Sequence, residues 1–231
     1  MTEQYYARLA SAVTRGYFKR YRLIMDKELM EKDIYMLSCE EMEKIISLGK
    51  QEYDLGLHNF KIPGRMLARV SRVLGFLKGL CFENLLDVGT GRGSFLIPLL
   101  NDLSSVQVTA VDLLRKRVNM LNDLKNGGIA NLSVMQGDFC AMKIQPKSYD
   151  VVTMLEVLDD MPDYASAIAS AVKIAKKYVI ISAPTKPIEG LESKRTFTKE
   201  LLSQCLYSLG AENVFFEAVH NHFIIIANLG G

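Results

Sequence analysis

The sequence lacks the features that mark secreted, fibrous or membrane-spanning proteins. Only four of its 231 residues are cysteines, and they lie far apart without a C-x-x-C pair, which indicates reduced thiols rather than disulfides or a zinc site. No apolar run approaches the roughly 20 residues that span a bilayer. There is no internal repeat, and the amino terminus lacks the layout of a signal peptide. We therefore expect a globular, cytoplasmic protein that makes no use of a membrane.

The sequence also lacks a strong excess of charge of either sign. It has 28 basic and 26 acidic residues, a formal net charge of +2, which argues against a protein that wraps nucleic acid mainly through charge. Residues 1–84 hold 14 basic and 11 acidic side chains, whereas residues 85–231 hold 14 and 15. The segment 14–22 interleaves basic and aromatic residues, a pattern that suits either stacking on bases or packing on a neighbouring element. Packing is the commoner explanation.

The character of the chain changes near residue 83, which divides it into two predicted regions. Residues 1–83 are expected to form a helical cap on the substrate side, and residues 84–231 alternate apolar strands with amphipathic helices. In the first region Ser38 and Glu41 form a capping box that opens a helix of about ten residues. Gly64 precedes a second predicted helix, which runs to about Leu80.

The second region predicts a doubly wound α/β sheet of seven strands. Helices are expected near residues 93, 114, 162 and 198–209, with a poorly defined connection after residue 138. The last two strands are joined by almost no loop, so they must form an antiparallel hairpin in an otherwise parallel sheet. The predicted strands are 84–88, 106–112, 131–136, 149–155, 178–183, 213–220 and 222–228.

The first strand runs into the glycine-rich segment DVGTGRGSF. Gly89, Gly91 and Gly93, with Thr90 between the first two, let the backbone turn sharply and approach a ligand closely. The spacing is not that of the dinucleotide fingerprint G-x-G-x-x-G, because the third glycine comes one residue early. The anionic Asp87 would repel a pyrophosphate at this place but would favour an ammonium or sulfonium group.

Polar or aromatic residues also follow the next three strands. Asp112 ends the second strand, 23 residues after Gly89, where a carboxylate can accept hydrogen bonds from both ribose hydroxyls. Asp138 and Phe139 follow the third strand, and the pair Leu155–Glu156 ends the fourth. Each has an ordinary alternative as a helix cap or core residue, but the carboxyl ends of neighbouring strands converge on one crevice.

Together these residues resemble class I S-adenosylmethionine-dependent methyltransferases over roughly residues 65–231. The resemblance implies a Rossmann-like sheet and S-adenosyl-L-methionine as cofactor. It also implies that Asp87 and the glycine backbone face the methionine moiety, that Asp112 holds the ribose, and that Leu113 flanks the adenine. The implied cofactor-binding set is Asp87, Gly89, Thr90, Gly91, Gly93, Asp112, Leu113, Asp138, Phe139, Leu155 and Glu156.

Two departures from the family pattern bear on chemistry. Many relatives have a histidine where this chain has Asp160, so a base role of that histidine cannot be transferred. The motifs for methylating amino groups on bases and cytosine C5 are absent. Methyl transfer needs a general base only for a weakly acidic nucleophile. Glu156 and Asp160 are the weak catalytic candidates, although acids near Pro162 also suit a helix N-terminus.

The acceptor is expected to contact the N-terminal helices and the long loop after strand five. Tyr53, His58 and Arg65 are the candidates on the substrate side. Lys186, Lys194 and Arg195 would suit an anionic acceptor, although ordinary surface charges explain them as well. For the H-N-H pair His220 and His222, burial on an alternating strand is favoured over metal binding, and no metal is expected.

These features predict a methyltransferase that acts on a small molecule. An RNA methyltransferase remains an alternative, and it would bind in a steeply salt-dependent manner. A non-catalytic regulatory subunit that keeps the cofactor pocket is a third possibility, beside a nicotinamide-dependent enzyme. The sequence does not reveal the acceptor, the atom methylated or the oligomeric state.

Overall fold

A mixed seven-stranded sheet forms the centre of the protein. The computed structural model describes residues 6–53, 55–62, 66–187 and 195–230, and for residues 52 and 53 it describes only the backbone. In chain order the strands are β1 (Asn84–Val88), β2 (Gln107–Asp112), β3 (Leu132–Gln136), β4 (Tyr149–Leu155), β5 (Ala175–Pro184), β6 (Asn213–Val219) and β7 (His222–Asn228). In space they follow the order β3-β2-β1-β4-β5-β7-β6, and all neighbours are parallel except the pairs of β7 with β5 and β6.

This architecture confirms the predicted fold class. The first and fourth strands have the predicted bounds, whereas β5 begins three residues early, at Ala175. The reason lies in its pairing with β4, where Tyr149 lies opposite Ala175 before a register shift places Val151 opposite Tyr178. The early start of β5 therefore follows from an irregularity in its pairing with β4, where three steps along β5 lie opposite two along β4. This irregularity has no local sequence signal.

Helices cover both faces of the sheet. The helix predicted near residue 93 begins only at Leu96 because Gly93 has a φ of 82°, which a right-handed helix does not tolerate. The capping box of Ser38 and Glu41 is present, and its helix is longer than predicted. The helices are α1 (Ala7–Tyr21), α2 (Lys27–Glu31), α3 (Cys39–Tyr53), α4 (Ala68–Lys78), α5 (Leu96–Asp102), α6 (Arg115–Asn126), α7 (Tyr164–Ile174) and α8 (Lys199–Ser208).

Two hydrophobic cores lie on opposite faces of the sheet. On one face α4, α5 and α6 pack against the strands, and α1 and α3 belong to the same core. On the other face the core is built from α7 and α8. The N-terminal helices α1, α3 and α4 therefore share one apolar core with α5 and α6.

Helix α1 crosses α6 at unusually short range. A Cβ atom added at Gly16 would lie 1.9 Å from the Asp123 carbonyl oxygen, and one added at Gly127 would lie 1.8 Å from that of Ala12. Arg20 donates two hydrogen bonds to the Asp123 carboxylate, at 2.9 and 2.6 Å. The two helices are thus joined by backbone contact and by a bidentate ion pair at a buried carboxylate.

The basic and aromatic segment 14–22 serves this packing. Phe18 and Arg15 are buried, and the Lys19 ammonium donates a hydrogen bond to the Asn126 carbonyl oxygen at 2.8 Å. Arg15 donates to the Lys32 carbonyl oxygen, also at 2.8 Å. Of the two interpretations of this segment, the structure supports packing on a neighbouring element.

The terminal hairpin has the predicted antiparallel form. His220 and Asn221 make a two-residue turn, and His220 adopts a left-handed φ of 54°. Val219 and His222 lie opposite each other at the turn end. Within the described ranges, no helix combines the length and the apolar character needed to cross a membrane.

Candidate functional site

A cavity of about 640 Å³ opens at the carboxyl ends of the parallel strands. It lies where the strand order reverses, because the chain passes from β1 to β2 and β3 on one side and to β4 and β5 on the other. Ligands of open α/β sheets bind at this switch point. The volume is in the range of ordinary small-molecule sites.

Ten of the eleven residues predicted to bind a cofactor line this cavity. The exception is Gly93, which is buried beneath the loop, where an added Cβ would come within 2.9 Å of the Ile97 side chain. Its role is to let the loop enter α5. The ten lining residues are Asp87, Gly89, Thr90, Gly91, Asp112, Leu113, Asp138, Phe139, Leu155 and Glu156.

The glycine-rich loop turns through three left-handed glycines, of which Gly89 and Gly91 line the cavity. Gly89 has a φ of 70°, and a Cβ there would lie 2.3 Å from the Val157 side chain, so only glycine allows the loop to pack against the end of β4. Gly91 has a φ of 63°, and among the described atoms a Cβ there would have a single neighbour within 4 Å, the Gly89 carbonyl oxygen at 3.7 Å. The backbone of Gly91 therefore borders open space in the cavity.

Asp87 places a buried carboxyl group at the floor of the cavity. The side chain is 3% exposed and accepts a hydrogen bond from Thr153 Oγ1 at 2.7 Å. Burial raises the pKa of Asp87 to about 6; the hydrogen bonds of Thr153 and Thr90 oppose this effect, and the nearby charge of Asp112 adds to it. At neutral pH the site thus contains a desolvated anion suited to a cationic ligand group.

Asp112 organises the loops on both sides of the cavity. Its Oδ2 accepts a hydrogen bond from the Gly91 backbone N–H, and its Oδ1 accepts one from the Leu114 backbone N–H, each at 2.9 Å. Arg117 approaches Oδ2 at 3.4 Å. The carboxylate therefore fixes the glycine-rich loop relative to the end of β2. Oδ1 keeps a further lone pair for a ligand, whereas Oδ2 is shared between Gly91 and Arg117.

Asp138 and Phe139 form the wall beyond β3. Asp138 Oδ1 accepts a hydrogen bond from the Cys140 backbone N–H at 3.0 Å and so caps the 3-10 turn Phe139–Ala141, the only regular element between β3 and β4 in the described chain. Phe139 is buried yet contributes to the cavity wall. Asp138 therefore both caps this turn and forms part of the cavity wall.

Glu156 lies at the opposite wall, where side chains from three elements meet its carboxylate. Arg69 of α4 approaches Oε1 with its Nε at 3.0 Å, an ion pair without the alignment of a hydrogen bond. Ser182 of β5 donates a hydrogen bond to Oε1, and His222 Nε2 lies 3.4 Å from Oε2. Burial alone would raise the pKa of Glu156, but the contacts with His222, Ser182 and Arg69 outweigh it and hold the pKa below its ordinary value.

Of the three candidates on the substrate side, only His58 has a described side chain, and it lies outside the cavity lining. His58 is exposed on the 3-10 turn Leu57–Phe60 and does not belong to the cavity lining. The side chain of Tyr53 and the whole of Arg65 lie outside the described residues. Asp160, the second catalytic candidate, does line the cavity.

The basic residues of the loop after β5 have mixed positions. Lys186 is exposed, and Lys194 lies outside the described residues. Arg195 approaches the carbonyl oxygens of Met161 and Pro162, each at 3.4 Å, and its guanidinium covers the Tyr164 ring. Arg195 therefore holds this loop against the segment after β4.

Sequence reasoning missed Arg69, Ser182 and His222 as parts of the site. Ser182 lies two residues before the carboxyl end of the parallel strand β5, so the rule that identified the other strand-end residues would have found it. Arg69 and His222 had no local signal pointing to the cavity, because they reach Glu156 only through tertiary packing. Within the part of the chain that the structure describes, no three His, Cys, Asp or Glu side chains are grouped closely enough to hold a metal ion.

Comparison with known proteins identifies a family and several relatives by sequence. A family model described as a methyltransferase domain matches residues 82–214. The ubiquinone biosynthesis O-methyltransferase of Nitrosospira multiformis is 31% identical over 162 residues, which cover 66% of this chain and 63% of that protein. The ribosomal RNA small subunit methyltransferase G of Desulforamulus reducens is 38% identical over 76 residues, or 31% of this chain and 32% of that protein. The chain thus spans less than two thirds of these curated relatives.

Solved structures share the fold at low sequence identity. The magnesium protoporphyrin IX methyltransferase of Synechocystis with bound SAM has a TM-score of 0.58 and 18% identity, covering 80% of this chain and 94% of that one. A SAM dependent methyltransferase from Aquifex aeolicus has a TM-score of 0.60 and 21% identity, covering 73% and 94%. At these identities the similarity establishes the fold alone.

Proposed function

This chain belongs to the methyltransferase domain family, and from that premise we propose that it transfers a methyl group from S-adenosyl-L-methionine to a small-molecule acceptor. The observation that carries the proposal is the cavity at the β1/β4 switch point, with the buried carboxylate of Asp87 at its floor. The position of this anion suits a methyl donor that bears both a sulfonium and an ammonium group.

The residues around the cavity fit the remaining parts of such a donor. Asp112 would accept a hydrogen bond from the ribose hydroxyls through the lone pair that its backbone donor leaves free on Oδ1. The adenine would lie between the apolar side chains of Leu113 and Phe139, beside the polar acceptor Asp138. The open space beside Gly91 suits a ligand that lies against the backbone.

The donor supplies an electrophilic methyl group, and the protein supplies alignment and exclusion of water. Holding nucleophile, methyl carbon and sulfur in line converts a bimolecular reaction into an effectively unimolecular one. Asp87 and the glycine-rich loop would fix the donor on one side of the cavity. Arg69, Glu156 and Ser182 line the other side, which would leave them for the acceptor.

A small-molecule acceptor is favoured over RNA because the basic residues of α1 are engaged within the protein. Arg20 binds Asp123, Lys19 binds a carbonyl oxygen of α6, and Arg15 is buried. The ubiquinone relatives carry the name of O-methyltransferases, whereas the ribosomal RNA relative covers a shorter part of the chain. All four cysteines are free thiols, which supports a reducing compartment such as the cytoplasm.

The donor-binding part of the proposal predicts a selective thermal shift. S-adenosylhomocysteine at 100 times its dissociation constant stabilises the folded state by about 2.7 kcal/mol, which raises the Tm of a protein of this size by about 5–10 °C. NAD is expected to have no effect. Stabilisation by NAD alone would contradict the proposal and favour a nicotinamide-dependent enzyme.

Catalysis is tested by incubating the protein with methyl-labelled S-adenosylmethionine and a cell extract divided into RNA, protein and small-molecule fractions. Label is expected in the small-molecule fraction. Label in RNA, with binding that weakens steeply as salt is raised, would instead support the RNA alternative. Binding of S-adenosylhomocysteine without transfer to any fraction would indicate a regulatory subunit.

The ribose contact predicts a loss of donor affinity on the substitution Asp112→Ala. The variant is expected to bind S-adenosylhomocysteine about 10- to 100-fold more weakly, since it loses a charged hydrogen bond worth about 1.5–3 kcal/mol and the anchor of the Gly91 N–H. Titration calorimetry measures the change. Arg117→Ala is the comparison variant, because it removes the 3.4 Å contact to the same carboxylate and leaves the carboxylate in place. Unchanged affinity of Asp112→Ala, with the fold intact, would show that Asp112 is merely a cap.

A further inference from the structure

The backbone of Glu156 adopts a conformation that glutamate rarely takes. Its φ is 58°, in the left-handed region, which costs a non-glycine residue about 1–2 kcal/mol. The conformation directs the carboxylate to where Arg69, Ser182 and His222 meet it from three other elements. Strain that is maintained by several independent contacts is typical of functional positions.

The surroundings of this carboxylate give it an unusual electrostatic character. Arg69 forms an ion pair with the carboxylate, and the contacts with His222, Ser182 and Arg69 together keep it ionised. The result is an ionised hydrogen-bond acceptor in the cavity lining, with the positive charge of Arg69 beside it. A neutral hydroxyl can donate a hydrogen bond to such a carboxylate and then pass its proton to it.

We propose that Glu156 receives the proton of an acceptor hydroxyl, with Arg69, Ser182 and His222 as positioning residues. This inference rests on the proposed function. A lone pair of the hydroxyl oxygen forms a bond to the methyl carbon, while the bond from that carbon to the donor sulfur breaks and leaves its electron pair on sulfur. The forming bond makes the hydroxyl proton acidic, and it passes to the Glu156 carboxylate. The products are a methylated oxygen, S-adenosylhomocysteine and a neutral glutamic acid, which returns its proton to water.

The same environment disfavours the other common nucleophiles. A primary amine is an ammonium ion at neutral pH, and the Arg69–Glu156 pair offers it little net attraction. A thiol ionises near pH 8.5 without help, so it needs no fixed carboxylate. Asp160, the other acid considered as a base, is exposed at the cavity edge, where water competes for its hydrogen bonds.

The experiment compares Glu156→Gln with two matched variants, each supplied with labelled S-adenosylmethionine and the small-molecule fraction of the extract. Glu217→Gln is the control, because Glu217 pairs with Arg72 of the same helix as Arg69 at 3.1 Å and lies outside the cavity. Asp160→Asn tests the competing base. Calorimetry with S-adenosylhomocysteine shows that each variant folds and binds the donor product, and the chemical linkage of the labelled methyl group is identified.

Glu156→Gln is expected to lose transfer by about 100-fold or more while its affinity for S-adenosylhomocysteine stays within about threefold. Glu217→Gln should retain transfer, Asp160→Asn should lose less transfer than Glu156→Gln, and the label should be on oxygen. Undiminished transfer by Glu156→Gln, label on nitrogen or sulfur, or loss of S-adenosylhomocysteine binding by that variant would each overturn the inference. Failure of the unaltered protein to bind S-adenosylhomocysteine or to label any fraction would instead overturn the proposed function.

Discussion

Replacing Asp87 with asparagine is expected to weaken binding of S-adenosylmethionine at pH 7.5 by about 10- to 100-fold, since a buried charged contact is worth about 1.5–3 kcal/mol. The same substitution is expected to make the unliganded protein more stable. Both effects have one cause, the desolvated carboxylate of Asp87, whose pKa of about 6 reports the cost of keeping it ionised. The binding loss is measured by calorimetry, and the stability gain by denaturant unfolding without ligand.

The sign of the stability effect follows from proton linkage. The folded-state pKa of Asp87 lies above its ordinary value of 3.8, so the folded protein binds more protons than the unfolded chain between these pH values. The contribution of Asp87 to the free energy of unfolding therefore becomes less favourable as pH rises from about 4 to 6. Above pH 6 its ionised carboxylate destabilises the folded state by about 3 kcal/mol. The asparagine side chain has no charge to desolvate, so Asp87→Asn should gain about 1–3 kcal/mol at pH 8 and little at pH 4. Binding of the cationic donor to the unaltered protein should weaken below pH 6.

Asp150 offers a matched control, because its pKa is shifted in the opposite direction from that of Asp87. It is also a buried strand aspartate, but it lies at the other end of β4, away from the cavity. Burial would raise the pKa of Asp150, but the hydrogen bond from the Glu83 backbone N–H and the nearby charges of Lys176 and Lys177 outweigh it and lower the pKa. Asp150→Asn should therefore destabilise the protein at neutral pH and leave donor affinity unchanged. If both variants lose stability at pH 8, the proposed role of Asp87 is wrong.

The largest stability loss is expected from Gly16→Ala, at about 3 kcal/mol or more. Helix propensity alone favours alanine over glycine by about 1 kcal/mol, so the expected loss comes from the contact with α6. A Cβ at position 16 would lie 1.9 Å from the backbone oxygen of Asp123. A backbone atom cannot move aside as a flexible side chain can, so α1 and α6 would have to separate. Thermal and denaturant unfolding measure the change.

The control for this substitution is Gly75→Ala in the middle of α4. A Cβ there would meet no described atom within 4 Å, so the variant should gain about 0.5–1 kcal/mol. Both substitutions add one methyl group to a helix, and they are expected to change the free energy of unfolding in opposite directions.

We further propose that residues 1–83 do not unfold independently of residues 84–231. A separate early transition in Gly16→Ala, with S-adenosylhomocysteine binding intact, would contradict that view.

The sequence was sufficient to predict the sheet because its strands are short apolar runs bounded by turn residues. The strand-end residues Asp87, Asp112 and Asp138 could also be predicted to share one cavity, since parallel strands place their carboxyl ends at one edge. The start of α5 could not be predicted from hydrophobic spacing, because the left-handed backbone of Gly93 sets it. The early start of β5 depended on its partner strand.

The parts of the site that could not be predicted depend on contacts between distant segments. Arg69 is 87 residues from Glu156, and its helical pattern indicates only that it lies away from the apolar face. The close approach of α1 and α6 had no signal in the spacing of apolar residues, because glycine contributes nothing to a hydrophobic pattern. Both cases reflect tertiary packing, which local propensity does not encode.

The reversed direction of β7 has a consequence for how the site is specified. Parallel strands bring their last residues to the functional edge, but an antiparallel strand brings its first, which is why His222 reaches Glu156 although it begins its strand. A slip of one residue in this hairpin would exchange His222 for Phe223 and turn every side chain of β7 to the opposite face. The two-residue turn, with its left-handed His220, fixes that register. The turn at residues 220 and 221 thus determines whether the titratable side chain of His222 or the aromatic side chain of Phe223 contacts the Glu156 carboxylate.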